Sequence, residues 1–439
     1  MKKQHSNTRL LCQLSAVAAL VLSGNAMADE AFSADSKWMT GDWGGERTKL
    51  IEQGIDIKAD YVGEMGANLH GGYNDDKTGR YSDQFGLGVA FDLQKLLGWD
   101  NTQAKIQLTN RNGQNISNDR IGDPRAGTLS SSQEVYGRGH MVRLTQLWVQ
   151  HQFLDGKLDV KAGYFGEGED FNTFPCDFQN LAFCGSQVGN WATGIWYNWP
   201  VSQAALRIKY NITPELYAQI GAYNQNPSQL EHGNGFKLSG SGTKGTVLPV
   251  ELVWSPKLNS LPGEYRVGYY KSTADANDVR KDVNGQDAAN TGDAYRVHNS
   301  KHGYWFVGQQ QLTTHNGDAS RGLNIAANAT FHDKDTNVVD NYQSLMFVYK
   351  GPFDARPKDD VGIGFARIHV NDDVRKNAQL INEDNGISNY DNPLYMPLRD
   401  TEYNYEINYG FHVTNWLTVR PNLQYITHPG GVDAVSYTH

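Results

Sequence analysis

Along most of the chain, apolar and polar residues alternate one by one. In Lys105–Arg111, Ile106 and Leu108 share one side, and Lys105, Gln107, Thr109 and Arg111 share the other. Ala204, Leu206, Ile208 and Tyr210 alternate with Ala205, Arg207 and Lys209. Tyr265, Val267 and Tyr269 alternate with Arg266, Gly268 and Tyr270, and Leu323–Phe331 repeats the pattern. Near the end, Tyr403–Phe411 alternates with Asn404, Glu406, Asn408 and Gly410; Leu417–Tyr425 alternates with Thr418, Arg420, Asn422 and Gln424. Successive side chains of a strand point to opposite faces, so each segment has one apolar and one hydrophilic face. A soluble β-sandwich would alternate in the same way. Three details favour a transmembrane antiparallel β-barrel. The segments run ~9–11 residues, the length of a tilted spanning strand. Their apolar faces carry Tyr or Phe toward an end, as interfacial girdles require. Their other faces hold Arg, Lys, Asn and Gln, as a watery lumen permits. The fold class predicted is all-β.

Polar stretches break the alternation at 71–83, 112–139, 166–190, 223–245, 273–300 and 370–401. Short connections occur at 154–157, 211–214 and 412–415. Long loops at one end and tight turns at the other is the outer-membrane arrangement.

The N-terminus differs. Lys2, Lys3 and Arg9 precede an apolar run, Leu10–Leu22, and Ala26-Met27-Ala28 follows. This order predicts a secretory signal peptide over residues 1–28, cleaved after Ala28. Residues 29–57 form a polar segment, flexible to about Thr40, with one helix over Glu46–Gln53 that Gly54 terminates. The barrel occupies 58–439. No later stretch offers the ~20 apolar residues of a membrane helix.

Composition alters this picture only slightly. A mean hydropathy of −0.59 would suggest a soluble protein, but only alternate strand residues of a barrel meet lipid. The 23 Tyr and 10 Trp suit two interfacial girdles. A net charge of −9 argues against nucleic acid as a partner. Of three cysteines, Cys12 lies in the leader; Cys176 and Cys184 are expected to form a disulfide in an oxidising compartment. No metal or cofactor is called for, because no His/Cys cluster has zinc-like spacing. His298 and His302 lie in a loop, and Asp333–Asn337 lacks the Gly and distal Glu of a calcium loop. No carboxylate pair follows a catalytic signature, so the sequence does not indicate an enzyme.

Trp38-Met-Thr-Gly-Asp-Trp-Gly-Gly-Glu-Arg47, with Leu50 and Gly54-Ile-Asp56, resembles the opening of the carbohydrate-selective outer-membrane porins of the OprB type. Tyr61-Val-Gly-Glu64, Leu144–Trp148, Leu158–Gly163, Asn180–Gly185, Arg420–Tyr425 and His428–Gly431 extend the likeness over about 36–431. The resemblance implies a barrel of about 16 strands, an N-terminal helix, an inward-folded constriction, and passive passage of glucose and related sugars. Such barrels end in a closing strand with a terminal aromatic residue, which the barrel-assembly machinery reads. Here Tyr437-Thr-His439 follows soon after the Pro429–Gly431 turn, so the last strand is expected to be missing. An open edge would leave unpaired backbone groups facing lipid.

Parity nominates Arg111, Arg207, Lys209, Arg266, Glu406, Asn408, Arg420, Asn422 and Gln424 as lumen residues that could touch sugar. The 166–190 loop is the candidate constriction, with Glu167, Glu169 and Asp170 facing the cationic wall. Trp191 and Trp196 would supply stacking surface or stand in a girdle. The expected partners are mono- or oligosaccharides, outer-membrane lipid and lipopolysaccharide, and the barrel-assembly machinery. A homotrimer, common among porins, has no mark of its own in the sequence. Two other readings stay open: a channel for other small polar or anionic solutes, and an exported soluble β-protein that binds sugars.

Overall fold

A computed structural model describes residues 31–192 and 194–435. The signal peptide, its cleavage site at Ala28, and Tyr437–His439 lie outside the described residues. Fifteen long strands form one antiparallel meander. They are β1 (Ile55–Asn68), β2 (Thr78–Asp92), β3 (Thr102–Gly113), β4 (Met141–Phe153), β5 (Leu158–Phe165), β6 (Gln203–Thr213), β7 (Leu216–Gln225) and β8 (Gly245–Trp254). Then come β9 (Leu261–Ser272), β10 (Lys301–Gln311), β11 (Gly322–His332), β12 (Val339–Lys350), β13 (Asp360–Val370), β14 (Thr401–His412) and β15 (Asn422–Thr427). Each strand pairs with the next.

Among the described residues no pairing joins β1 to β15, so the sheet is open there. A slot of about 570 Å³ separates the two edges, lined by Gly63 and 65–69 on one side and by 419–424 and Ile426 on the other.

The outward positions form a continuous exposed apolar surface. It includes Phe85, Leu87, Ile106, Leu147, Leu206, Ile208, Val250, Val267, Phe306, Ile363, Phe365 and Ile407. Monomeric soluble proteins rarely expose a contiguous patch of this kind; lipid is the matching solvent.

The inward face is not uniformly wet. A dry core lies on it, where Phe171, Phe174, Phe178, Phe183, Val188, Trp191 and Trp196 of the 166–202 loop pack against Tyr223, Tyr270, Trp305, Tyr342, Met346 and Ile368. Two glycines make room for it. Gly268 pairs with Trp305, and a Cβ there would stand 2.0 Å from the indole ring. A Cβ on Gly364 would approach Phe183 to 2.9 Å.

Several expectations need correction. The Leu417–Tyr425 segment is not one strand: Pro421 lacks an N–H to donate, and the chain is extended as Thr418–Val419 and then β15. The 370–401 stretch holds a helix, Asp372–Asp384, whose first turn the Asn371 side chain caps through Asp373 N–H. The 273–300 stretch holds a hairpin, Ala276–Asp282 with Tyr295–His298. The described part of the segment before Thr40, from residue 31, is docked rather than loose. Trp416 Nε1 and the Asn415 backbone N–H donate to the carbonyls of Ser33 and Ala34, at 2.8 and 3.1 Å. The predicted helix is present over Glu46–Glu52, and Gly54 follows with φ of 100°.

Candidate functional site

The 166–202 loop leaves β5, crosses the lumen and returns to β6. Apolar burial fixes one side of it; its other side meets a wall of charged groups. On β5, Lys161 Nζ lies 3.3 Å from Glu169 and 3.0 Å from Asp170. On β6, Arg207 donates to Asp159 at 2.6 Å and lies 3.6 Å from Asp170. Gln146 of β4 donates to Glu169 at 2.6 Å. Glu169 and Asp170 therefore face a cationic wall, as their sequence position suggested.

Glu167 does not. It is fully buried, and Oε2 accepts from the Tyr197 N–H at 3.2 Å. Burial pushes its carboxyl up to about 8, so it is largely protonated at neutral pH. Trp191 and Trp196 also differ from expectation. Trp191 packs on Tyr342 with ring centroids 5.4 Å apart, and Trp196 packs on Trp305 at 5.7 Å. Both belong to the dry core and neither to a girdle, and Trp196 also lines the cavity beside Glu169. Cys176 and Cys184 form the expected disulfide within this loop.

Beside Glu169 lies a cavity of about 560 Å³, within the range of small-molecule sites. Its lining includes Gln84, Arg111, Glu134, Tyr136, Arg138, Glu169, Asn190, Asn198 and Trp199. Gln84 organises one side: its Oε1 accepts from Arg111 Nε at 2.8 Å and from Trp199 Nε1 at 2.9 Å. Arg111 lies 3.9 Å from Glu134, whose carboxyl is raised by burial and lowered, to a smaller extent, by Arg111. This second loop, 114–140, was not singled out as a constriction element. Nor were Gln84, Lys161 and Trp199. The Asp159-Val-Lys161 alternation could have nominated Lys161.

The remaining parity candidates point inward but have separate tasks. Arg266 donates to Glu251 and Glu264, each at 2.9 Å. Glu251 also accepts from Trp305 Nε1, Gln219 and the Asn172 N–H, which ties the loop to the wall. Glu406 accepts from the N–H groups of Gln179 and Asn180 at 3.0 and 2.8 Å. Asn408 donates to Asp177 O, Asn422 to Gln179 Oε1 and Gln424 to Ser132 O. These four position the two inward loops. Arg420 pairs with Asp360, and Lys209 lies 5.2 Å above the Tyr217 ring.

The arrangement offers a narrow polar passage with fixed donors and acceptors and no reactive constellation. The model of the carbohydrate-selective porin, OprB family, matches residues 76–438. Porin B of Pseudomonas aeruginosa is 67% identical over 436 residues, which is 99% of this chain and 96% of that protein. A structure described as the high-pH form of Pseudomonas putida OprB superposes with a TM-score of 0.93 at 68% identity, over 93% of this chain and 97% of that one. Lipid-facing strands, an inward constriction and these matches agree, and the chain is therefore a Gram-negative outer-membrane channel, not an enzyme, that belongs to the carbohydrate-selective porin family of the OprB type.

Proposed function

We propose that the channel passes glucose and related mono- or oligosaccharides by passive diffusion through the eyelet of Lys161, Arg111, Glu169, Glu134, Gln84 and Trp199. The carrying observation is compensation of charge. Arg111, Lys161, Arg207 and Arg266 each lie within 3.9 Å of a carboxylate. The wall therefore presents many directional hydrogen-bond groups with little net charge, which suits a neutral polyol better than an ion. Trp199 and Tyr136 add aromatic surface for the C–H faces of a sugar ring. A competing reading, passage of small anions, draws on Arg138, which is exposed in the same cavity.

The same proposal closes the barrel. The slot between β1 and β15 is where the cylinder, of about 16 strands, closes. Outer-leaflet lipopolysaccharide would surround its external end, and the barrel-assembly machinery would insert it.

Liposome swelling tests the proposal. Glucose influx should exceed that of a size-matched anion such as gluconate, and Lys161→Met should change the glucose half-saturation. Equal influx of both solutes, unaltered by Lys161→Met, would refute it.

A further inference from the structure

The lipid-facing side of β13 carries a cation that the lumen pattern does not explain. On β13 the outward side chains are Val361, Ile363, Phe365, Arg367 and His369, because Gly362, Gly364, Ala366 and Ile368 are buried inward. The register aligns them with neighbours. Phe347, Ile363, Ile407 and Leu423 form one outward row, and Leu345, Phe365, Tyr405 and Tyr425 form the next. Then the character changes: Gln343, Arg367 and Tyr403 form the third row, toward the external loops. Two residues advance a strand by about 6.6 Å. With the strand tilt of a barrel, Arg367 stands roughly 5 Å beyond Phe365 along the membrane normal. That places it where hydrocarbon gives way to headgroups.

The setting of its guanidinium differs from that of three lumen arginines. Arg207, Arg266 and Arg420 each hold a carboxylate. Arg367 Nη1 donates to two neutral amide oxygens, Asn341 Oδ1 at 2.6 Å and Gln343 Oε1 at 3.2 Å. Both amides come from the outward face of β12. They orient the planar group without neutralising it, and leave Nε and Nη2 available for a bidentate acceptor. Among the described residues no carboxylate lies within ion-pair distance of it. The nearby acids gather one step further out, on His369: Asp340 at 2.6 Å, and Asp372 and Asp400 at 3.9 Å. Arg375 lies 3.8 Å from Asp400. Charge is thus layered, with an uncompensated cation at the lipid edge and the acids above it.

A charged side chain on the lipid face is unfavourable unless it meets water or an anion. We infer that Arg367, braced by Asn341 and Gln343, binds a phosphate group of an outer-leaflet glycolipid whose acyl chains lie on the Phe365 and Ile363 rows. The inference rests on the outer-membrane placement above and adds a site outside the pore. A planar fork suits a phosphate bidentately, and the exposed apolar rows immediately below suit acyl chains. A second copy of the chain would instead have to bring a carboxylate to this face.

The test is lipid retention by the purified full chain in detergent, measured by native mass spectrometry with bisphosphorylated lipid A and with its dephosphorylated form. The wild type should prefer the phosphorylated lipid at least tenfold. Arg367→Gln should lose that preference, Arg367→Lys should keep part of it, and inorganic phosphate at equal concentration should not displace the lipid. Glucose flux through Arg367→Gln in liposomes should stay unchanged. Equal retention of both lipids by the wild type, or an undiminished preference in Arg367→Gln, would overturn the inference. A change of oligomeric mass in Arg367→Gln without change in lipid binding would overturn it in favour of a protein contact. Absence of glucose flux in the wild type, with lipid preference intact, would count against the channel proposal and leave the lipid site standing.

Discussion

The two walls of the lumen are built from the same kind of strand and do opposite things. On the β7–β13 side, inward Tyr223, Tyr270, Trp305, Tyr342 and Ile368 are buried under the constriction loop. On the β2–β6 side, inward Lys161 and Arg207 pair with that loop's Glu169 and Asp170, while Gln84 accepts from its Trp199 and Arg111 faces Glu134 of the 114–140 loop. Both walls alternate with outward apolar residues. The inward face of a barrel is therefore free to be dry or wet locally. One wall supplies hydrophobic attachment that holds the loop still; the other supplies the polar chemistry the loop is held against.

The largest effect should come from the dry wall. Trp305→Ala removes a fully buried ring that also donates to Glu251. It should cost about 3–5 kcal/mol of unfolding free energy, measurable in urea titrations in lipid, and should raise single-channel conductance as the loop loosens. Unchanged conductance would mean that the loop is held by its polar ties alone. On the wet wall, Lys161→Met should leave stability less affected and transport more so. Glu169 and Asp170 lose their shared cation, and ion selectivity should shift toward cations. That shift is read as a reversal potential across a salt gradient.

Glu167 connects the walls through pH. Its carboxyl is raised to about 8 by burial, so the folded loop favours the protonated form. That contribution is complete below the ordinary carboxylate range and is lost as pH rises through about 8. It should be on the order of a few kcal/mol at most. Current noise and thermal unfolding should therefore worsen from pH 7 to pH 9 in the wild type. Glu167→Gln should flatten the profile. The smallest effect is expected from the disulfide. Cys176→Ser with Cys184→Ser should cost about 2 kcal/mol or less for so short a loop. Conductance should barely change, because Phe178, Phe183 and Trp191 still seat the loop on the dry wall.

Strand period makes the two faces of the antiparallel sheet legible in the sequence alone. Ile106, Leu206, Val267 and Ile407 point outward as their parity requires, and Arg111, Arg207, Arg266 and Glu406 point inward. The acids of the constriction were also legible, since Glu169 and Asp170 lie in a long loop of a chain with inward cations. What parity could not convey is which inward groups the loops cover. Glu406, Asn408, Asn422 and Gln424 look like pore residues in one dimension, yet they hold loop backbone. Trp191 and Trp196 look like exposed aromatics until the loop folds back on Tyr342 and Trp305. Loop helices were hidden for another reason. Asp372–Asp384 is short and largely polar, and only the Asn371 cap followed by Asp372 and Asp373 marks its start.

The central claim is that a charge-compensated eyelet selects neutral sugars. Single-channel recording in a planar bilayer with glucose and maltose added stepwise tests it most directly. The account predicts a saturable, concentration-dependent fall in ion current in the wild type, with an altered half-saturation in Lys161→Met. An ion current that ignores both sugars at saturating concentration, while the open channel conducts fully, would contradict it.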